Sequence, residues 1–343
     1  MHMRTIQRIT FLILLVGFVH QSNAQKHKAY YSNGTLKEQG KYKKEKEHGK
    51  WQFFYENGVL LAEGKYKNGA RVGEWIYYYD SGDLLEKGLY ENNLRVGQWV
   101  TYHNNGNTKS QGEYREGEQV GVWSYYFPLG VLKSQGQFDK GKQVGLWNYY
   151  FENGQLAESG LWKDNENDGA WKFYYEDGTL KKTGEWDMGT QTGVWSYYNK
   201  LGNLEQRGEW ESGKQTGLWE YYFPSGKIKE TGRWKDGYQI GEWTYYYENG
   251  LVEKKGSWKD DFNVGTWTYY YENGNIEKTG PRANGHSTGK WTYYHLNGNK
   301  KEEGEFDPYG NEIGVWKIYH ENGNLSRTGE WICLLYTSDA ADD

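Results

Sequence analysis

The chain has 343 residues and a formal net charge of -5, with 18 Trp, 33 Tyr and 47 Gly against 4 Pro and 1 Cys. The lone Cys333 rules out an internal disulfide framework, and without Arg4, Arg8, Asp339, Asp342 and Asp343 the net charge over residues 25–331 is -4, neither a nucleic-acid footprint nor an acidic tail. Rings and glycines in this abundance predict strands and tight turns, not helices.

Residues 1–24 have the three-part layout of a secretory signal peptide: Arg4 and Arg8, the apolar run Ile9–Val19, then Ser22-Asn-Ala24 as a small-residue cleavage site. The mature chain is expected to begin near Gln25, and an uncleaved N-terminal anchor is the alternative. No cysteine stands at the cleavage site, which argues against a lipoprotein anchor.

From Tyr30 to Trp331 one sentence repeats. Its leading tryptophans fall at Trp51, Trp75, Trp99, Trp123, Trp147, Trp171, Trp195, Trp219, Trp243, Trp267 and Trp291, in steps of 24 residues, then at Trp316 after a step of 25. A fixed period of this size means a repeat array whose units stack on their neighbours. His27 stands where the first tryptophan would fall, as suits an atypical terminal unit.

Counted from the tryptophan as zero, most units have aromatic residues at +2 and +3, Asn-Gly or Asp-Gly near +6 and +7, and an aliphatic residue at +9. They continue with Gly at +13 (Gly64, Gly88, Gly208 and Gly256 among them), a ring at +15, a second turn near +17 and +18, and Gly at +22. Asn57-Gly58 predicts a two-residue hairpin loop, setting Tyr55 opposite Leu60 and Trp51 opposite Gly64. The same rule at Asn68-Gly69 sets Tyr66 near residues 71–72 and Gly64 opposite Gly73. Each indole would then lie over a strand position with no side chain.

Two strands per 24-residue unit give an all-β fold: an elongated antiparallel β-meander, twisted into a single-sheet ribbon. Alternation puts Trp75, Tyr77 and Tyr79 on one face and Tyr78 on the other, in an amphipathic ladder that either covers the backbone or offers a ligand platform. Two departures stand out. An extra residue within Asp307-Pro-Tyr-Gly-Asn-Glu312 reads as a turn insertion, and Pro281-Arg-Ala breaks the usual Gly-x-ring continuation, predicting a locally weaker unit. After Trp331 the frame ends, and residues 332–343 resemble translated sequencing-adapter read-through, an anomalous tail expected not to be native.

No catalytic, cofactor-binding or metal-binding set is spaced as a site needs. His103, His295 and His320 share one repeat position and read as substitutes for a ring. Asp164-Asn-Glu-Asn-Asp168-Gly169 has the alternating oxygens of a calcium loop, but its twelfth position is Tyr175, so a polar turn is the better reading. Glu56, Glu152, Glu248, Glu272 and Glu321 recur at the turn approach, as edge charges do.

The cores Gly-x-Trp-x-Tyr-Tyr-Tyr-Glu-Asn-Gly-x-Leu and Gly-x-Trp-Lys-x-Gly resemble the MORN-repeat variant family over residues 30–331. That resemblance implies a meander of hairpins. Many bacterial members carry an antitoxin label, and eukaryotic relatives are associated with lipid binding, dimerisation and scaffolding. Gly-x-Trp followed by Tyr-Tyr is also similar to choline- and glucan-binding repeats, whose unit is shorter.

The expected function is that of an exported, non-enzymatic scaffold, in the periplasm, on the outer surface or secreted, binding a protein or envelope surface without a cofactor. The alternatives are a glycan-binding module with Trp and Tyr platforms, and an antitoxin-like inhibitor. Nucleic acid is not an expected partner, nor is a membrane for the repeats; the oligomeric state stays open.

Overall fold

The computed structural model describes residues 24–331; the expected signal segment up to residue 23 and the tail 332–343 lie outside the described residues. Among the described residues there is no helix, and the chain forms 27 strands, from Gln25–Tyr30 to Leu325–Trp331. It divides into two compact units. The first reaches Thr108 and includes Tyr114–Glu118; the second holds Lys109–Glu113 and runs on from Gln119. Within each, consecutive strands pair antiparallel.

Each repeat contributes a first strand that carries the tryptophan and a second that carries the unsubstituted glycine. In the repeat headed by Trp195 these are Thr190–Tyr198 and Leu204–Glu211, with Trp195 opposite Gly208 and Tyr197 opposite Gln206.

The first turn differs from the two-residue expectation. The Tyr55 amide donates to the Val59 carbonyl at 2.8 Å and the Gly58 amide to the Tyr55 carbonyl at 2.9 Å, while only Gly58 adopts a positive φ, 82°. This is a type I turn followed by a left-handed glycine, a three-residue loop. Asn57 selects it by accepting the Val59 amide on Oδ1 at 3.0 Å. Tyr55 therefore meets Val59 instead of Leu60, and an extra residue at Leu61 restores the expected pairing of Trp51 with Gly64.

The second turn is the expected two-residue type, with φ of 54° at Asn68 and 85° at Gly69, and Tyr66 opposite Arg71. Beyond it the register slips by two residues, from Lys65 opposite Val72 to Glu63 opposite Ile76. Gly73, at φ 67°, and Glu74 are the extra residues. The expected pairing of Gly64 with Gly73 is thus overturned: Gly73 turns the strand out of register, and the Trp75 ring lies over Gly64. In later repeats the same glycine faces a tryptophan on both sides, Gly208 lying between Trp195 and Trp219.

The slip also frees a carbonyl. Eleven leading indoles donate Nε1–H to the residue just after the covered glycine, at distances between 2.9 Å for Trp171 to Leu161 and 3.3 Å for Trp243 to Arg233 and Trp267 to Ser257.

Both irregular stretches are local. The strand Ile276–Ala283 runs through Pro281, but its partner breaks into His286–Ser287 and Gly289–Tyr294, where the Thr288 amide reaches the Pro281 carbonyl at 3.0 Å. The extra residue after Asp307 turns a second-type loop into a first-type one: Asp307 and Asn311 close it at 2.9 Å, with Gly310 at φ 89°.

Candidate functional site

The leading tryptophans are covered. Trp195 and Trp219 have 0% of their surface exposed, and every leading tryptophan from Trp51 to Trp316 is buried. Rings lie against rings along the second unit: Trp171, Phe173, Trp195, Tyr197, Trp219 and Tyr221 follow one another at centroid distances of 5.8 to 6.5 Å. A second-strand ring meets each indole edge-on, as Trp186 does with Trp195 at 5.6 Å and 85°. Burial on the tryptophan face pushes the Tyr221 phenol up to about 12 and raises those of Tyr197 and Tyr245, so these hydroxyls stay uncharged at neutral pH. The leading indoles therefore offer no ring face to a ligand, whereas the second-strand Trp162, Trp186, Trp210, Trp234 and Trp258 keep partial exposure. Gly64, Gly88, Gly208 and Gly256 are structural too, since a Cβ on any of them would run into the next repeat's indole.

The hairpin tips are fastened to one another. The ring just before the first turn reaches the following repeat: Tyr55 Oη donates to the Tyr78 carbonyl at 2.8 Å, and Tyr271 Oη to that of Tyr294 at 2.8 Å. His295 fills the same place, with Nε2 3.0 Å from the Tyr319 carbonyl, which agrees with its reading as a ring substitute. The turn asparagine adds a second link, Asn153 Nδ2 donating to the Glu176 carbonyl at 2.8 Å. The recurrent glutamates Glu56, Glu272 and Glu321 lend backbone carbonyls to this ladder while their side chains are exposed. Second turns dock in the same way, the Gly189 amide donating to the Asn167 carbonyl at 2.8 Å.

The stretch from Asp164 is such a turn. Asp164 and Asn165 sit at φ 52° and 71°, Asn165 Oδ1 accepts the Gln143 amide at 2.7 Å, and Lys142 pairs with Asp164 at 3.1 Å. Asp164 Oδ1 and Asn165 Oδ1 are thus committed to the preceding repeat. Among the described residues no group of three or more His, Cys, Asp or Glu is placed to hold a metal.

What varies is the opposite face. There Tyr222 Oη donates to Glu220 at 2.8 Å beside an Arg207–Glu220 pair at 2.6 Å, and Tyr319 Oη donates to Glu303 at 2.8 Å. Hydrogen bonds from Tyr319, Lys300 and Lys290 hold the Glu303 carboxyl down at about 2. Just before the tryptophan, this face carries exposed apolar side chains in Val122, Leu146, Val194 and Leu218, each about half exposed, with Leu161 directly opposite Leu146. Sequence reading missed this row because it took each unit's average composition. Its signal lay in the single position before each tryptophan, which holds Lys50 and Glu74 in early repeats and Val or Leu in these.

The sequence profile of the MORN repeat variant matches the chain at residues 26–44, 47–68, 71–92, 95–116, 119–140, 143–164, 167–187, 215–236, 239–260, 263–284, 287–307 and 312–332. The chain belongs to that family. The repeat headed by Trp195 escapes the match, having Asn199 in place of the turn-approach ring and Leu201 in place of the turn asparagine, yet it keeps the register of the other MORN variant repeats. No protein of curated function matches. Among solved structures, the chain is similar to TcdB2-TccC3-Cdc42 (13% identity, TM-score 0.17) and to the Photorhabdus luminescens Tc holotoxin pore carrying TccC3-D651A (14% identity, TM-score 0.17). The match covers 89% of this chain but 18% of each of those chains.

Proposed function

We propose that this MORN variant chain is an exported, non-enzymatic scaffold that binds a protein partner of the cell envelope through the face opposite its tryptophans. The observation that carries the reading is the row Val122, Leu146, Val194 and Leu218, apolar and exposed at one repeat position. Leu146 and Leu161 face each other across the strands, and Val122, Val194 and Leu218 repeat the apolar position to either side; exposed apolar surface of this kind marks interaction sites. The positions that recur in every repeat are consumed by fastening repeats together, which leaves this face to supply specificity.

The test is a pull-down from the source envelope with residues 25–331 and with the same chain carrying Leu146→Glu and Leu218→Glu. A protein recovered by the first and lost from the second supports the reading. Recovery of a toxin, recovery of no envelope protein, or equal recovery by both baits overturns it.

A further inference from the structure

The first hairpins carry a charge arrangement found at variance with the rest of the sheet. Residues 25–50 contain eight Lys against three Glu, with no Asp or Arg. Register sets Lys26 directly opposite Lys41, and Lys50 directly opposite Lys65. Like charges facing across an antiparallel pair are destabilising, and Lys43 opposite Lys46 adds a third such pair, whereas in the second unit Arg207 faces Glu220 and Lys163 faces Glu166. Lys26, Lys41, Lys50 and Lys65 are exposed, on the face away from the tryptophans. A shallow cleft of about 320 Å³ is lined by Lys26, Lys28, Lys41 and Lys50 with Gln39 and Gln52, and a second of about 230 Å³ continues past Lys50 to Lys65. The acidic groups on this face are Glu63, already bound to Lys50 at 2.7 Å, and Glu74 in the second cleft.

We propose that this cleft binds an acidic polysaccharide, a chain carrying one carboxylate per sugar, laid across the strands. Neighbouring strands are about 4.8 Å apart, so lysines on four successive strands form a row about 14 Å long with one cation per strand. An extended uronate chain presents its carboxylates at a comparable step; one relieves the repulsion between Lys26 and Lys41, and another meets Lys65 beside a Lys50 that Glu63 already partly neutralises. Gln39 and Gln52, hydrogen-bonded to each other at 2.8 Å, stand between the lysines as partners for sugar hydroxyls. The only ring among the residues lining the first cleft is His27, which packs against Tyr42 and Trp51 on the other face, so single-stranded nucleic acid finds no free stacking surface there. Nor does an apolar side chain line it, so nothing there would insert among lipid tails.

This site is separate from the apolar row, and it stands or falls independently of the protein-binding reading. The experiment measures binding of the full chain to polygalacturonate at low ionic strength, alongside neutral dextran, an oligo-dT strand and vesicles rich in anionic lipid. Lys41→Gln with Lys65→Gln is compared with Lys229→Gln and Lys259→Gln, two exposed lysines of the second unit whose loss changes net charge equally. The expected result is saturable polygalacturonate binding that falls about tenfold or more in the first variant and not in the second. The first variant should also melt no lower than the parent at low salt, since it loses like-charge repulsion; this separates a lost site from a damaged fold. Absence of polygalacturonate binding, equal binding by both variants, or tighter binding to oligo-dT or vesicles with the same lysine dependence would overturn the assignment.

Discussion

The indole Nε1 of Trp219 donates to the Glu209 carbonyl at 3.2 Å, and it can do so because Gly217 and Leu218 are extra residues in the tryptophan's own strand. Gly217, at φ 64°, holds the slip, and the pairing of Glu209 jumps back to Thr216. The tryptophan and the glycine two residues before it are therefore one device: the glycine opens the ladder and the indole closes it again.

Gly208→Val should be far more damaging than Gln206→Val. Both residues lie on the tryptophan face, but a side chain at 208 enters the volume of the Trp219 ring, whereas Gln206 lies between Tyr197 and Tyr221 with partial exposure. Overpacking costs about 1–3 kcal/mol, and displacing the indole also forfeits its hydrogen bond, worth about 1 kcal/mol. The denaturation midpoint of each variant checks this, and equal losses would reject the register.

Period, the places of the turns and the pairing of Trp51 with Gly64 were legible because each rests on residue type at a fixed step. The tryptophan facing the far side of Gly64 was not legible. A hairpin rule assumes an unbroken ladder, and Gly73 gave no local sign that it would leave the ladder instead of lying within it. The loop at Asn57-Gly58 misled for a related reason: the dipeptide favours a two-residue loop, but the Asn57 side chain stabilises the longer turn by capping Val59. Burial of every leading indole followed from that missed contact, since a ring paired on one side only could have stayed open to a ligand. The lysine pairs were visible in sequence only once register was known.

Acid should weaken the repeats around Glu303. Its carboxyl is held at about 2, below the ordinary 4.5, by hydrogen bonds from Tyr319, Lys300 and Lys290. With the folded value depressed, the stabilisation is complete above the unfolded value and is lost as pH falls from about 4.5 to about 2. The two lysines are about half exposed or more, so solvent screening holds each pair to about 0.2–1 kcal/mol. Glu303→Gln should lower the midpoint at pH 7 and flatten its acid limb. An acid limb of equal slope in parent and variant would show that Glu303 carries none of it.

Deleting residues 193–216 should leave a folded protein. The cut joins Thr192 to Gly217, which restores the sequence order of an intact repeat at the same phase. Trp219 then occupies the place of Trp195 over Gly184, with the Glu185 carbonyl available to its Nε1, and Phe173 meets the ring of Trp219 as it now meets that of Trp195. Each repeat contacts mainly its neighbours, so the loss is one unit and one interface, and a cooperative melt should persist. Binding to an extended protein partner should weaken step by step as further repeats are removed, because linked weak contacts supply a gain of about 10²–10⁴ that shrinks with each link lost. Polygalacturonate binding should be untouched, since Lys26, Lys41, Lys50 and Lys65 lie outside the deletion. If this deletion alone abolished partner binding while other deletions of equal length were silent, the contacts would be concentrated in that repeat and the distributed surface would be wrong.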